Sequence, residues 1–493
     1  MKPLLFIPAF LLVCIACQGE GDVGGVIRDD RMGTQVHFMQ GPGWSWRRWD
    51  LDKTMPLLAK SGLTWLRNGI YWGQVERVKG QYEIPKQSLL WIEKANAAGL
   101  KVSITFNGGN TLYADKYDPV AYAKAAAYVA KALEGKIGAI EILNEPYGKA
   151  YAGYYSPDWN AWNGLAKDKS VHPWVRKYVT LINTAAKAIR AANPDIKIIG
   201  LGSLPPVNFR QLAMGIAPEV DGITDHPYSG RLIPELMPWA AQKSILKRDG
   251  IATADEKGTF SSQIAMYRAQ SKKYNGPKEL WLTEWGWSTF QEAKSSGNYA
   301  GYTESAQAKY TLRRFVESIG LGVDESFQYD FKDDGDGTHP TDAEHNFGMI
   351  RADYTPKPAY YAVQRLAATL DNAAPKDTWG IRVTMAARRP AGPVINWDGS
   401  RLVASGLAKC YQFMGKNGEA KAFIWSEENA DGDLQPALAD IEITPALPAG
   451  ARASFYDIYL DKTKTYDVET KGDRSVIHLV TIPDSPVCMT IKK

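Results

Sequence analysis

The chain is short of cysteine and nearly balanced in charge, and each shortage excludes something. Only four cysteines occur among 493 residues, and two of them, Cys14 and Cys17, stand at the very start. Cys410 and Cys488 are left, enough for one disulfide at most. A bridge in an oxidising compartment and two buried thiols both fit, because sequence gives no distance between them. A net charge of +4 is too small at this length to favour nucleic acid. No internal repeat or low-complexity segment stands out. The apolar stretch Leu4 to Ala16 is too short to span a bilayer as a helix.

What is present is aromatic and long. Sixteen Trp and 25 Tyr permit sugar stacking without requiring it. Hydrophobic residues at 45% and charged ones at 23% suit a globular chain, and 493 residues exceed one ordinary core. Met1-Lys2 and the apolar run after them read as a secretory signal. It ends Cys14-Ile15-Ala16-Cys17, which resembles a bacterial lipobox with Cys17 as the lipidated residue. A plain signal peptide cleaved nearby is the alternative. Residues 18–32 begin Gly-rich and acidic and are assigned to a tether, with Val23 to Arg31 able to lend the barrel a strand.

From Thr34 to Leu370 apolar strands and amphipathic helices alternate eight times, which argues a parallel sheet. Asp118-Pro119 is an N-cap and N1 pair, and Val175, Val179, Ile182, Ala186 and Ile189 make one helical stripe. Eight units fit a (β/α)₈ TIM barrel over residues 33–372. The runner-up, an open doubly wound sheet, lacks its Gly-rich phosphate turn after the first strand. Beyond Asn372 the pattern turns to short strands, with Asn417-Gly418 as a hairpin signal between two of them. A C-terminal antiparallel β-sandwich is expected over 373–493.

Two carboxylates dominate. Ile140-Glu141-Ile142-Leu143-Asn144-Glu145-Pro146 ends the fourth strand, and Leu280-Trp281-Leu282-Thr283-Glu284-Trp285-Gly286 ends the seventh. Active sites of barrels lie at C-terminal strand ends, so Glu145 and Glu284 should share one mouth. Two facing carboxylates, one protonated and one ionised, are what glycoside hydrolysis needs.

On these motifs the chain resembles clan A of the glycoside hydrolases, with cellulase-like families nearest. The resemblance implies a retaining, two-step enzyme acting on a β-linked oligo- or polysaccharide. It makes Glu145 the acid/base, Glu284 the nucleophile and Asn144 the residue holding the sugar 2-OH. His226-Pro227-Tyr228 is similar to the clan's His-x-Tyr, whose Tyr touches the nucleophile, and Arg67, ending strand two, resembles the arginine whose positive charge keeps the nucleophile ionised. Trp285, Asn107 and Tyr329 are assigned to substrate binding. Strand eight, Phe327-Gln328-Tyr329-Asp330, departs from the pattern by lacking a Trp, and strand three ends in Phe106-Asn107 without a His. The run Trp72, Glu76, Gly80, Tyr82 is similar to a clan loop, with Glu76 given a salt-bridging role.

Loop aromatics, Trp44, Trp46 and Trp49 after strand one and Tyr147, Tyr151, Tyr154, Tyr155, Trp159 and Trp162 after strand four, divide between sugar platforms and rim packing. Lys332 to Gly337 lacks the Glu of an EF-hand and reads as a solvated acidic turn. Glu344-His345 is given no role. No metal or organic cofactor is implied. The partners expected are a carbohydrate and, through Cys17 alone, a membrane, with the protein exported and monomeric. A non-catalytic sugar-binding lipoprotein and a transglycosylase are the competing functions.

Overall fold

The computed structural model describes residues 25–39, 49–156, 161–238, 243–292, 299–386, 394–395, 401–430 and 435–492. The signal, the lipobox, the first part of the tether, and Trp44, Trp46 and Trp159 lie outside them.

Eight strands form a closed barrel: β1 (Asp29–Gln35), β2 (Leu63–Tyr71), β3 (Lys101–Asn107), β4 (Ala139–Ile142), β5 (Lys197–Ser203), β6 (Gly222–Asp225), β7 (Glu279–Trp285) and β8 (Glu325–Gln328). Neighbours pair in parallel throughout, and β1 pairs with β8 to close the ring. The expected TIM barrel with antiparallel sheets after it is therefore the fold found. Local chemistry sets the helices around it. Asp118 caps helix Pro119–Ala132 by accepting from the Val120 and Ala121 amides, and Asp50 does the same for Leu51–Lys60. Helix Pro173–Ala192 buries the expected stripe of Val175, Val179, Ile182, Ala186 and Ile189. Inside the barrel Trp65, Ala139, Ile199, Trp281 and Phe327 pack as one layer. Gly33 is obligatory beside it: a Cβ there would meet the Phe327 ring at 2.6 Å.

The first strand starts at Asp29, inside the stretch assigned to the tether. Its Asp-Asp-Arg opening pairs within itself and also reaches the far end of the barrel. Asp29 pairs with Arg31 at 2.6 Å, Asp30 N donates to Asn372 Oδ1, and Arg31 Nη1 donates to the Ala373 carbonyl.

The C-terminal part holds a four-stranded and a six-stranded antiparallel sheet, with a two-stranded ribbon beside them. In strand Ala420–Ser426, Ala422 and Ile424 join the core between the sheets, whereas Phe423 and Trp425 join the core of the barrel. The six-stranded sheet thus uses both faces, one on its partner sheet and one on the barrel. Register decides the cysteines. Cys410 lies opposite Ile424 and Cys488 opposite Phe423, so the two thiols occupy opposite faces and both are free. Residues 403–407, apolar enough to suggest a strand, form none. Strand Gly380–Met385 alternates Ile381, Val383 and Met385 with Arg382 and Thr384, whereas Lys462–Asp467 and Val487–Lys492 show no such alternation of apolar and polar residues. No helix among the described residues is long and apolar enough to cross a membrane.

Candidate active site

The C-terminal strand ends converge as barrel geometry requires. β4 stops at Ile142, and the chain then turns through two non-glycine residues with positive φ, Leu143 at 62° and Glu145 at 42°. Such backbone costs about 1–3 kcal/mol per residue and persists where surrounding structure enforces it. Here it swings Glu145 over the barrel toward β6. Its Oε1 lies 2.9 Å from His226 Nδ1. His226 follows β6 and meets Thr283 Oγ1 of β7 at 3.1 Å through its other nitrogen.

Glu284 comes up from β7 and receives a donor on each oxygen. Arg67 Nη1 lies 2.5 Å from Oε1, and the Tyr228 hydroxyl donates to Oε2 at 3.1 Å. Arg67, in the middle of β2 and buried, is fully engaged. It also donates to Glu141 at 2.6 Å, to Gln35 at 2.8 Å and to Asn144 Oδ1 at 2.8 Å. Burial alone would weaken its charge, but Glu141 and Glu284 outweigh that and hold the proton on more tightly than usual. With Asn144 Oδ1 occupied, its amide NH₂ is left as the end able to donate to a ligand.

One proton is contested between Glu145 and His226. Burial pushes the Glu145 carboxyl up, but the hydrogen bond and charge of His226, then Tyr147 and Arg67, bring it below the ordinary value. Burial pushes His226 down, and Glu284 and Glu145 together raise it above 6.5. In the empty site the imidazole is the favoured holder.

Other expected residues fall elsewhere. Trp285 is fully buried, its indole donating to Ser326 Oγ at 3.0 Å and its ring packed on Phe315. It points away from the mouth because its neighbour Glu284 points into it. Asn107 accepts from the Asn144 amide at 3.3 Å and so holds the β4 turn from behind. Tyr329 stands between Tyr228 (6.1 Å between ring centroids) and Phe347 (5.4 Å) in the wall beside Glu284. Glu76 makes hydrogen bonds rather than an ion pair, accepting from Trp72, Tyr113 and Gly80. Trp49 is buried, donating to Asp334 at 2.9 Å, and Asp333 pairs with Lys357 at 2.8 Å, so the turn at 332–337 is partly internal rather than solvated.

Several contributors escaped the sequence reading. Glu141 lies under the site and accepts from Arg67, Thr105 and Thr283. Its place two residues before the catalytic-type turn, in an apolar strand, was the available signal. Gln35, Tyr299 and Phe347 carry none: Gln35 ends β1 as one more polar strand residue, and loops bring in the other two. Tyr299 lies against both Tyr228 and Phe347.

Among the described residues, two groups bring ligand-type atoms within 4.8 Å of one another: Glu145, His226 and Glu284, and His37, Asp330 and Asp334. Neither suits a cation well. The first already has the Arg67 guanidinium on Glu284, and the second has Lys332 beside its two aspartates.

No known protein family matches the sequence, and no curated protein does. Solved structures do resemble the fold. A family 39 glycoside hydrolase from the gut symbiont Bacteroides cellulosilyticus WH2 aligns with a TM-score of 0.64 at 20% identity, covering 94% of this chain and 81% of that one. The catalytic domain of GH30 xylanase C from Talaromyces cellulolyticus aligns at 0.52 and 14%, over 94% and 97%. A glucosidase from Croceicoccus marinus aligns at 0.51 and 13%, over 96% and 97%. At these identities the likeness lies in the fold, a closed parallel barrel followed by antiparallel sheets.

Proposed function

We propose that this chain is a retaining β-glycoside hydrolase, with Glu284 as nucleophile and Glu145 as acid/base. The observation that carries this is spacing. One carboxylate oxygen of Glu145 and one of Glu284 approach within 4.8 Å of each other. Retaining enzymes hold their carboxyl groups about 5–5.5 Å apart, and inverting ones about 6.5–9.5 Å to admit a water. Two donors address Glu284, as suits a carboxylate that attacks as an anion. Glu145 shares a proton with His226, which suits a group that gives a proton to the leaving oxygen and later takes one from water. The Asn144 NH₂ is free to grip the 2-OH of the same sugar. The fold shared with glycoside hydrolases supports a carbohydrate substrate.

The reading extends to export of a monomer with a lipid anchor on Cys17, supported by the N-terminal sequence. Globomycin-sensitive processing and radiolabelled palmitate incorporation, lost in Cys17→Ala, check the anchor.

The central test is stereochemical. Proton NMR of a cleaved aryl β-glycoside, recorded within the first minutes, should show the β-anomer of the released sugar first. An initial α-anomer would indicate inversion and overturn the assignment. A screen over β-glucans, β-mannans, xylans and aryl β-glycosides identifies the sugar.

A further inference from the structure

The sandwich touches the chain that carries Tyr228. The loop after β6 runs from Tyr228 through Ser229 to Glu235, and two neighbouring arginines of helix Glu304–Gly320 hold it from beneath. Arg314 Nη2 donates to Ser229 Oγ at 2.8 Å and to the Pro234 carbonyl at 2.7 Å. Arg313 donates through Nε to Glu235 Oε1 at 2.8 Å and pairs again through Nη2 with Oε2. Neither Arg313 nor Glu235 is closed by the barrel alone. Trp425 of the sandwich donates its indole N–H to Glu235 Oε1 at 2.7 Å, and the Glu428 carbonyl accepts from Arg313 Nη1 at 2.7 Å. Glu235, Arg313 and Trp425 are all completely buried.

We propose that Trp425 and Glu235 are positioning residues for Tyr228, which makes the sandwich a working part of the active site rather than an appended module. The claim rests on the hydrolase reading only in what Tyr228 does, namely donate to the nucleophile Glu284. A buried carboxylate needs its full set of donors. Removing the indole N–H leaves Glu235 one donor short inside a closed cluster, so it must move or recruit water. The loop anchored by Glu235 then shifts, and Tyr228 lies at its start. A displacement on the order of 1 Å at a catalytic contact is enough to cost roughly 100-fold in rate.

The test uses the full chain with ¹³C-labelled tyrosine. The Tyr228 resonance is assigned by its loss in Tyr228→Phe. Trp425→Phe keeps the ring and removes the N–H. Lys421→Met serves as control, since it breaks a different contact across the same interface, Lys421 Nζ to the Thr369 carbonyl at 2.8 Å. Trp425→Phe should move the Tyr228 resonance and lower kcat by about tenfold or more with a smaller change in KM, whereas Lys421→Met should do neither at a similar loss of thermal midpoint. If the two variants leave the Tyr228 resonance and kcat alike, the proposal is wrong. Should Trp425→Phe fail to fold, Ser229→Ala, which removes the hydroxyl that accepts from Arg314 and donates to Met237 Sδ at 3.8 Å, is read by the same two measures. A shifted resonance in a protein that cleaves no glycoside would keep the positioning claim and sink the hydrolase reading.

Discussion

Two buried arginines hold glutamates in this molecule, and they are put to opposite uses. Arg313 and Glu235 form a closed unit at the junction with the sandwich, each with no exposed surface, and backbone carbonyls and an indole complete their bonds. Arg67 and Glu284 are joined as tightly, but the Glu284 side chain keeps 11% of its surface exposed and Glu145 keeps 32%. Burying an ion pair gains little net stability. What separates the two sites is the open side: among the described residues, each glutamate at the mouth keeps part of its side chain uncovered. A charged cluster that is sealed is architecture, and one left with a vacant approach is available for chemistry.

The comparison breaks most visibly at the mouth. Glu284→Ala should lower turnover by at least about four orders of magnitude on every substrate, because no covalent intermediate forms. Glu145→Ala should still glycosylate from an aryl glycoside with a good leaving group, accumulate the intermediate, and regain turnover with azide to give a β-glycosyl azide. Azide rescue of Glu284→Ala with an α-product instead would reverse the two roles.

At the sealed site the large effect should be on stability. Arg313→Met strands a buried carboxylate and should cost about 3–5 kcal/mol in urea denaturation. A loss under about 1 kcal/mol would show the cluster to be wetter than its burial implies.

Protons sharpen the contrast. Because His226 is raised above 6.5, the proton shared with Glu145 is kept through that pH and lost as pH rises further. The rate for a poor leaving group should therefore decline on a basic limb lying above 6.5, and His226→Asn should move that limb. A limb unmoved by the substitution would remove His226 from the proton inventory.

The junction has its own titrating group. Burial, with the charge of Glu235, lifts the Glu317 carboxyl from 4.5 to about 7 against Lys409, Arg314 and Tyr411. The folded form thus binds the proton better than the unfolded one. Its contribution to stability is complete below 4.5 and is lost as pH rises through about 7. The thermal midpoint should fall across that window, and Glu317→Gln should flatten the fall. A slope unchanged in the variant would assign it to other groups.

The smallest effect concerns Trp285. Trp285→Phe removes one buried hydrogen bond to Ser326 and should cost about 1 kcal/mol while leaving KM unchanged. A marked rise in KM would return Trp285 to the substrate site.

Trp285 also shows how sequence misleads. The barrel was legible because each strand–helix unit repeats one pattern, and Glu145, Glu284, His226 and Tyr228 were legible because strand ends fix their location, whereas Arg67 lies in the middle of β2 and was legible only through the family resemblance. Strand parity would have corrected Trp285, since residues adjacent on a strand face opposite sides. Parity gives no help after β4, where the positive φ of Leu143 and Glu145 resets it. Gln35 and Phe347 were illegible for a different reason. Each reaches the site from a strand or loop whose approach depends on closure of the whole ring. Glu141 sat in plain view but looked like a surface residue, because its partners Arg67 and Thr283 are remote in sequence.

Closure of that ring has a consequence for synthesis. Asp30 and Asn372, joined by a hydrogen bond, are 342 positions apart. At a translation rate of about 5–20 residues per second, the first strand waits tens of seconds or longer before its partner β8 exists. Throughout that interval one edge of β1 is an unmatched row of backbone donors and acceptors. The polar start of the strand, Asp29-Asp30-Arg31, is the stretch that spends longest uncovered, and charge at an open edge discourages pairing with other nascent chains.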